Sequence, residues 1–194
     1  MFSTETPAAL YPPEQREVLL GLARESIHHG LAHGRPVPVS VEDYPEALRT
    51  IRACFVTLHK HGQLRGCIGH LQATQSLVED VATNAYAAAF QDPRFAPVQA
   101  DELPDLELEI SVLSETESLP YDDRADLVGK IRPGVDGLIL SSANGHRGTF
   151  LPSVWESLPS TEQFLQHLVM KAGLPSGFWS DDLEIERYTT ESFS

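Results

Sequence analysis

The sequence is poor in cysteine and in basic residues, and it contains no long hydrophobic run. Two of its 194 residues are cysteines, Cys54 and Cys67, which is too few for a disulfide framework and typical of a reducing, cytoplasmic location. The first ten residues have neither a basic segment nor an apolar one, so we expect no secretory signal. No apolar run approaches the roughly 20 residues of a membrane-spanning helix, so we expect no membrane segment.

Basic residues are half as numerous as acidic ones, 14 against 28, and the formal net charge is −14. This balance excludes a generally basic nucleic-acid binder, because phosphate backbones are bound by basic patches. The acidity is concentrated in residues 101–126, with ten acids and one base, and in residues 181–194, with five acids and one base. Residues 51–94 carry four bases and three acids, so a site within them is compatible with a small anionic ligand.

Several catalytic signatures are also missing. The sequence has no P-loop, no dinucleotide-binding glycine fingerprint, no Gly-x-Ser-x-Gly elbow and no His-Glu-x-x-His motif, which disfavours the enzyme classes that depend on them. With 41% hydrophobic residues, a chain of this length can bury a core without a metal or disulfide. We expect a flexible tail over 1–11 and a single domain over 12–190.

Hydrophobic periodicity predicts an α+β fold. Helical spacing predicts a helix that Pro12-Pro13 opens and that gives way to a loop at Gly30, a helix over 75–90, and a helix over 160–171 that opens with a capping box. Alternation and turn signals predict strands over 53–59, 64–70, 106–112, 137–142 and 183–188. We therefore expect a mixed or largely antiparallel sheet packed with helices, as one main domain with a smaller subdomain.

The most unusual segment is a hexapeptide, Leu64-Arg65-Gly66-Cys67-Ile68-Gly69. Two glycines within a strand pattern indicate a bulge, or the close approach of another backbone or of a ligand. In a regular strand, Arg65, Cys67 and Gly69 share one face, and a guanidinium beside a thiol favours the nucleophilic thiolate. Two interpretations stay open: a reactive Cys67, or a small buried cysteine whose neighbouring glycines serve packing.

Histidines near the hexapeptide allow two further arrangements. A Cys67–His70 dyad is disfavoured, because residues three apart on a strand lie on opposite faces unless a bulge intervenes. His59 and His61 have the spacing of two imidazoles on one strand face, and His70 across the turn would complete a three-histidine metal site. Because we expect His61 in the turn itself, we favour a solvated turn and predict no metal site.

Two other segments carry candidate site residues. In Asp92-Pro93-Arg94-Phe95, we expect Asp92 to bind local backbone amides and Phe95 to anchor the loop. Arg94 has two interpretations: it binds a carboxylate or phosphate in bidentate fashion, or it pairs with the acidic strand that follows. Residues 146–156 include a histidine, an arginine and a glutamate, which are acid–base groups, but turn chemistry followed by a hydrophobic lid is the favoured interpretation.

Taken in chain order, these segments resemble the AMMECR domain family. The resemblance covers the chain from about Pro13 to Tyr188, and the hexapeptide is its most specific part. It continues through Phe55-Val56-Thr57-Leu58, Asp92-Pro93-Arg94-Phe95, Leu108-Glu109-Ile110-Ser111-Val112-Leu113-Ser114, Gly137-Leu138, Leu151-Pro152-Ser153-Val154-Trp155 and residues 164–173. Ser153 is a mild departure, since the pattern often has glutamine there.

The resemblance implies a compact α+β fold with a main sheet, a smaller subdomain and a cleft near the hexapeptide. As candidate residues it carries over, for catalysis, Cys67 and Arg65 and, for ligand binding, Gly66, Gly69, Asp92 and Arg94. It also implies Memo-like and radical SAM proteins as partners, and it assigns no cofactor and no defined reaction.

Two functions are therefore expected. In the first, the protein is an enzyme or enzyme subunit in which Arg65 holds a small anionic substrate and Cys67 is the nucleophile. In the second, it is a non-enzymatic partner protein, and its acidic residues 101–126 give electrostatic specificity to docking.

Overall fold

A computed structural model describes residues 10–180 and 182–194, and it divides the chain into two compact units. The first unit extends to Leu113 and includes Glu191–Ser194, and the second comprises Ser114–Thr190. Each unit has its own four-stranded sheet and its own hydrophobic core. The predicted α+β class is confirmed, and the strands form two sheets.

The elements alternate between helices and strands along the chain. The helices are α1 (Pro13–His33), α2 (Glu46–Arg49), α3 (Leu77–Phe90), α4 (Arg124–Lys130) and α5 (Thr161–Lys171). Short 3₁₀ segments cover Val41–Asp43, Ala100–Asp105 and Pro152–Glu156. The strands are β1 (Cys54–Lys60), β2 (Gln63–Gly69), β3 (Leu106–Leu113), β4 (Glu117–Ser118), β5 (Gly137–Ser141), β6 (Arg147–Phe150), β7 (Glu184–Tyr188) and β8 (Thr190–Phe193).

In the first unit the strand order is β2-β1-β3-β8, and β1 pairs antiparallel with both β2 and β3. The predicted alternation of β3 is confirmed: Leu108, Ile110 and Val112 are buried, whereas Glu107 is exposed. α3 packs against β1 and β2 and also against α1. It begins at a Ser76–Glu79 capping box, which pairs two otherwise unbonded backbone N–H groups.

α1 is longer than the sequence indicates. It continues through Gly30 and ends at His33, followed by Gly34 in the left-handed conformation with φ of 66°. The predicted loop at Gly30 is wrong, because this glycine serves close packing: a Cβ there would lie 2.5 Å from the Phe90 ring of α3. A glycine within a helix and a glycine after a helix are not distinguished by local pattern alone.

The predicted tail lies mostly outside the described residues. At its end, the backbone N–H groups of Leu10 and Tyr11 donate to the Glu191 carboxylate at 2.6 and 3.3 Å, and Arg16 pairs with the same carboxylate at 2.9 Å. Tyr11 is buried in the first core. Glu191 therefore ties the start of α1 to β8, and Tyr11 belongs to the core instead of a loose tail.

In the second unit the strand order is β4-β7-β5-β6. The predicted strand over 137–142 is observed as β5, which forms an antiparallel hairpin with β6, with Gly145 at a φ of 83° in its turn. Trp155 stacks on Phe164 of α5 at 3.8 Å between ring centroids. The helix follows Ser160 as predicted, but Ser160 makes no side-chain cap bond, so the predicted capping box is wrong. Among the described residues, no helix combines the length and apolarity required to cross a membrane.

Candidate functional site

The hexapeptide forms most of β2, which is an edge strand of the first sheet. The predicted hairpin is confirmed, since His61 and Gly62 make the turn with φ values of 51° and 73°. Its register is irregular: Gly66 faces Leu58, and Leu64 faces the next residue, His59. Arg65 is thus the extra residue of a β-bulge, and a bulge re-aims a side chain relative to a regular strand.

Because of this bulge, Arg65 reaches an acidic partner on the 3₁₀ segment Ala100–Asp105. Its Nε and Nη2 donate to the two oxygens of Glu102 at 3.0 and 2.9 Å, and Lys60 donates to the same carboxylate at 3.1 Å. The Arg65 hydrogen bonds and the backbone N–H of Gln99 lower the pKa of Glu102 to about 2. The sequence predicted the Arg65 guanidinium beside the Cys67 thiol. In the structure this guanidinium instead forms an ion pair with Glu102.

Cys67 presents its backbone to the open edge of β2 and its side chain to the neighbouring strand. The N–H donates to Asp92 Oδ2 at 2.9 Å, and the carbonyl accepts from Arg94 Nη2 at 3.4 Å. The thiol accepts from Thr57 Oγ1 of β1 at 3.2 Å, and Cys67 is partly buried. Both outward-facing polar groups of this edge residue are thus paired by the loop that follows α3.

Asp92 is a buried carboxylate that organises this loop. Besides the Cys67 amide, it accepts the Arg94 backbone N–H at 3.1 Å and the Arg94 guanidinium at 3.0 Å from Nε and 2.7 Å from Nη2. The guanidinium holds the pKa of this carboxyl well below its usual range. The predicted binding of backbone amides by Asp92 is observed, and the ion pair of Arg94 forms with Asp92 instead of with β3.

Arg94 remains largely open to solvent. Its side chain is 55% exposed, and the guanidinium lies 5.4 Å from the Phe95 ring centroid. Asp92 takes Nε and Nη2, while Nη1 bonds no residue in the part of the chain that the structure describes. An oriented, accessible guanidinium with an uncommitted donor is suited to bind a carboxylate or phosphate.

The two hexapeptide glycines have packing roles. A Cβ on Gly66 would lie 2.1 Å from the backbone oxygen of Ala88 in α3, so only glycine allows β2 to approach the helix this closely. A Cβ on Gly69 would lie 2.3 Å from the Phe55 ring. These contacts favour the interpretation that the glycines shape the strand on which Cys67 is held.

A second polar cluster, which sequence reasoning missed, lies between α3 and the end of β2. The buried Asp80 accepts from His70 Nδ1 at 2.6 Å, from the Cys54 backbone N–H at 2.8 Å, and from Gln75 and Asn84 at 3.0 and 2.9 Å. Burial raises the pKa of the Cys54 thiol well above its usual value. A signal was present, because Asp80 and Asn84 are spaced by four residues on the buried face of α3.

The histidines near the hexapeptide contact different partners. His70 binds Asp80 on the helix side of the sheet, whereas the Cys67 thiol contacts Thr57 on the other face, so the disfavoured dyad does not form. His61 lies in the turn, 3.7 Å from Asp105. Within residues 10–180 and 182–194, no group of three or more potential metal ligands is found.

The segment 146–156 has turn contacts. His146 Nδ1 lies 3.1 Å from the carbonyl of Ala172, and Arg147 lies 3.9 Å from Glu186. Trp155 is buried and donates to the backbone of Asp136 at 2.7 Å. The contacts agree with the favoured interpretation of a turn followed by an apolar segment.

Comparisons with known proteins agree on one family. The AMMECR1 family model matches residues 20–193. A Methanothermobacter thermautotrophicus protein is 37% identical over 94% of this chain and 97% of its own length. A Methanocaldococcus jannaschii protein is 36% identical over 88% and 85%. The crystal structure of a Pyrococcus horikoshii protein, described as uncharacterized, is similar with a TM-score of 0.83 and 34% identity, covering 94% of this chain and 92% of that one.

Proposed function

The chain belongs to the AMMECR1 family, and we propose that it acts on a small anionic substrate through Cys67 and Arg94 at the edge of β2. One observation carries the proposal: Asp92 binds both the Cys67 amide and the Arg94 guanidinium. A single buried carboxylate thereby holds a thiol-bearing residue and a solvent-open cation in fixed relation. Such preorganisation is what a binding or catalytic site requires.

In this proposal Arg94 binds the anionic group of the substrate, and Cys67 attacks an electrophilic atom elsewhere in the same substrate. The guanidinium contacts the carbonyl of Cys67 itself, at 3.4 Å, so an anion on Nη1 is brought next to the residue that carries the thiol. The Cys67 thiol loses its proton to solvent, the resulting thiolate forms a bond to the electrophilic atom of the substrate, and the leaving group departs with the electron pair of the bond that breaks. Arg65, bound to Glu102, has a supporting role: it anchors the bulge that positions the hexapeptide.

Mass spectrometry of the native protein tests this function. Intact mass and released small molecules are compared for the wild type, Cys67→Ser and Arg94→Gln, all purified under non-denaturing conditions. We expect an adduct or bound anion in the wild type that is lost in Cys67→Ser and reduced in Arg94→Gln. The same adducts and small molecules in all three proteins would contradict the proposal.

A second candidate function is docking to other proteins, and the acidic surface of β3 favours it. Glu107 is exposed, and Glu109 is next on the same strand face. If Memo-like or radical SAM proteins are partners, as the family resemblance implies, association should weaken with added salt and with the pair Glu107→Gln and Glu109→Gln. Failure to co-purify with such proteins at low salt would count against it. A cytoplasmic location, which the low cysteine content predicts, is part of both proposals.

A further inference from the structure

A cavity in the second unit, remote in sequence from the hexapeptide, carries a separate inference. It has a volume of about 180 Å³ and lies among α4, α5 and the segment before β7. Its walls combine apolar side chains with one amide and one guanidinium. They are formed by Leu165, Val169, Gly177, Phe178, Trp179, Gln166 and Arg124. We propose that this cavity is a binding site for a small aromatic carboxylate.

The aromatic half of the ligand is inferred from the walls. Leu165 and Val169 present the buried face of α5, and Phe178 is one of the large hydrophobic side chains that remain exposed. The Trp179 ring has two close neighbours, the Tyr121 ring at 5.7 Å and the Arg124 guanidinium at 5.6 Å. An aromatic ring in the cavity gains apolar burial together with edge or stacked contacts to these rings.

The anionic half is inferred from Arg124. Its Nη2 donates to Glu162 at 2.9 Å, and its buried Nε has no hydrogen-bond partner among the described residues. Glu162 is 61% exposed, and such surface pairs contribute little net free energy, so a ligand carboxylate can displace it. The guanidinium also lies over the Trp179 ring, and its planar fork of donors suits bidentate binding of a carboxylate.

The size of the cavity further limits the class of ligand that it can hold. A volume of about 180 Å³ is below the roughly 300–1,000 Å³ typical of drug-sized ligands, so it suits one ring with a short acidic side chain. The segment that closes it turns at Gly177, where φ is 77°, and is tied to α5 by Gln166, which donates to Ser176 at 3.2 Å.

Binding of 3-phenylpropionate, with 3-phenylpropan-1-ol as its uncharged control, tests the proposal. The chain has two tryptophans, so ¹H–¹⁵N spectra of the indole groups report on the cavity, through Trp179, and on the core, through Trp155. We expect the acid to shift the Trp179 signal and leave the Trp155 signal in place. We expect the alcohol to bind about tenfold more weakly, since it lacks the charge-assisted bonds.

Two variants and one control complete the test. Arg124→Gln should weaken binding of the acid about tenfold and leave that of the alcohol unchanged, whereas Glu162→Gln should tighten binding of the acid. Arg147→Gln is the matched control, because Arg147 also pairs with a glutamate and is similarly exposed, 43% against 40% for Arg124. The wild-type protein alone can overturn the proposal: it does so if it binds the acid and the alcohol equally, or if it does not bind the acid.

Discussion

Asp92 accepts the outward backbone N–H of Cys67 at 2.9 Å, at a position where a further strand would otherwise pair with β2. Arg94 completes the arrangement, since it donates to the carbonyl of the same residue. An unpaired strand edge attracts other chains, so this pairing protects the sheet. The same contacts fix the Arg94 cation beside Cys67. The hydrogen bonds that protect the strand edge therefore also build the proposed site.

The substitution Asp92→Asn should destabilise the first unit. It removes the negative charge that pairs with Arg94 and leaves a weaker acceptor for the Cys67 amide. We expect a loss of about 2 kcal/mol in the free energy of unfolding at pH 7, less than for a fully buried ion pair because Arg94 is half exposed. Urea denaturation measures it. The exposed Asp101 provides the control Asp101→Asn, and equal stability of the two variants would contradict this account of the loop.

The substitution Glu102→Gln should lower stability in a pH-dependent manner. The folded-state pKa of Glu102 is about 2, below the ordinary value of 4.5. The stabilisation is therefore complete above about pH 4.5 and is lost as the pH falls toward 2. We expect a difference from the wild type of about 2 kcal/mol at pH 7 that shrinks across this interval. Urea titrations between pH 2 and 7 measure it, with the exposed Glu107→Gln as the control. A difference that does not change with pH would contradict the ionic role assigned to Glu102.

The substitution Gly66→Ala should be strongly destabilising, although it adds a single methyl group. The new Cβ would lie 2.1 Å from the backbone of Ala88, so α3 must move away from β2. We expect a loss of about 3 kcal/mol or more. The matched control is Gly21→Ala in α1, where nothing lies within 4 Å. That change should be neutral or stabilising by up to about 1 kcal/mol, because alanine favours the helix. Thermal or urea unfolding of both proteins gives the comparison.

Local sequence patterns predicted the strands, helix and turn that carry the proposed site. The β1–β2 hairpin follows from the turn at His61-Gly62, and α3 follows from its apolar spacing. The backbone binding of Asp92 also follows, because aspartate in a turn commonly accepts nearby amides. These features depend on residues close together in the chain.

Other features depend on pairings between distant segments. The bulge opposite Leu58 turns Arg65 toward Glu102, 37 residues later, and no local pattern indicates that partner. The Asp80–His70 pair likewise depends on how α3 packs on the sheet. The hexapeptide therefore indicated where the proposed site lies, whereas the choice of Arg94 as the cation beside Cys67 required the three-dimensional structure.

The reactivity of Cys67 toward a charged and an uncharged alkylating agent shows whether Arg94 recruits anions to the Cys67 thiol. Cys54 is fully buried, so alkylation of the native protein reports on Cys67, with Cys67→Ser as the blank. If Arg94 recruits anions to the thiol, the ratio of the iodoacetate rate to the iodoacetamide rate should exceed that of free cysteine by about tenfold. The ratio should fall to the free-cysteine value in Arg94→Gln. It should stay high in the matched control Arg132→Gln, because Arg132 is also half exposed, at 51%, and also pairs with a buried aspartate, Asp136. A wild-type ratio equal to that of free cysteine, and unchanged in Arg94→Gln, would show that Arg94 does not recruit anions to Cys67.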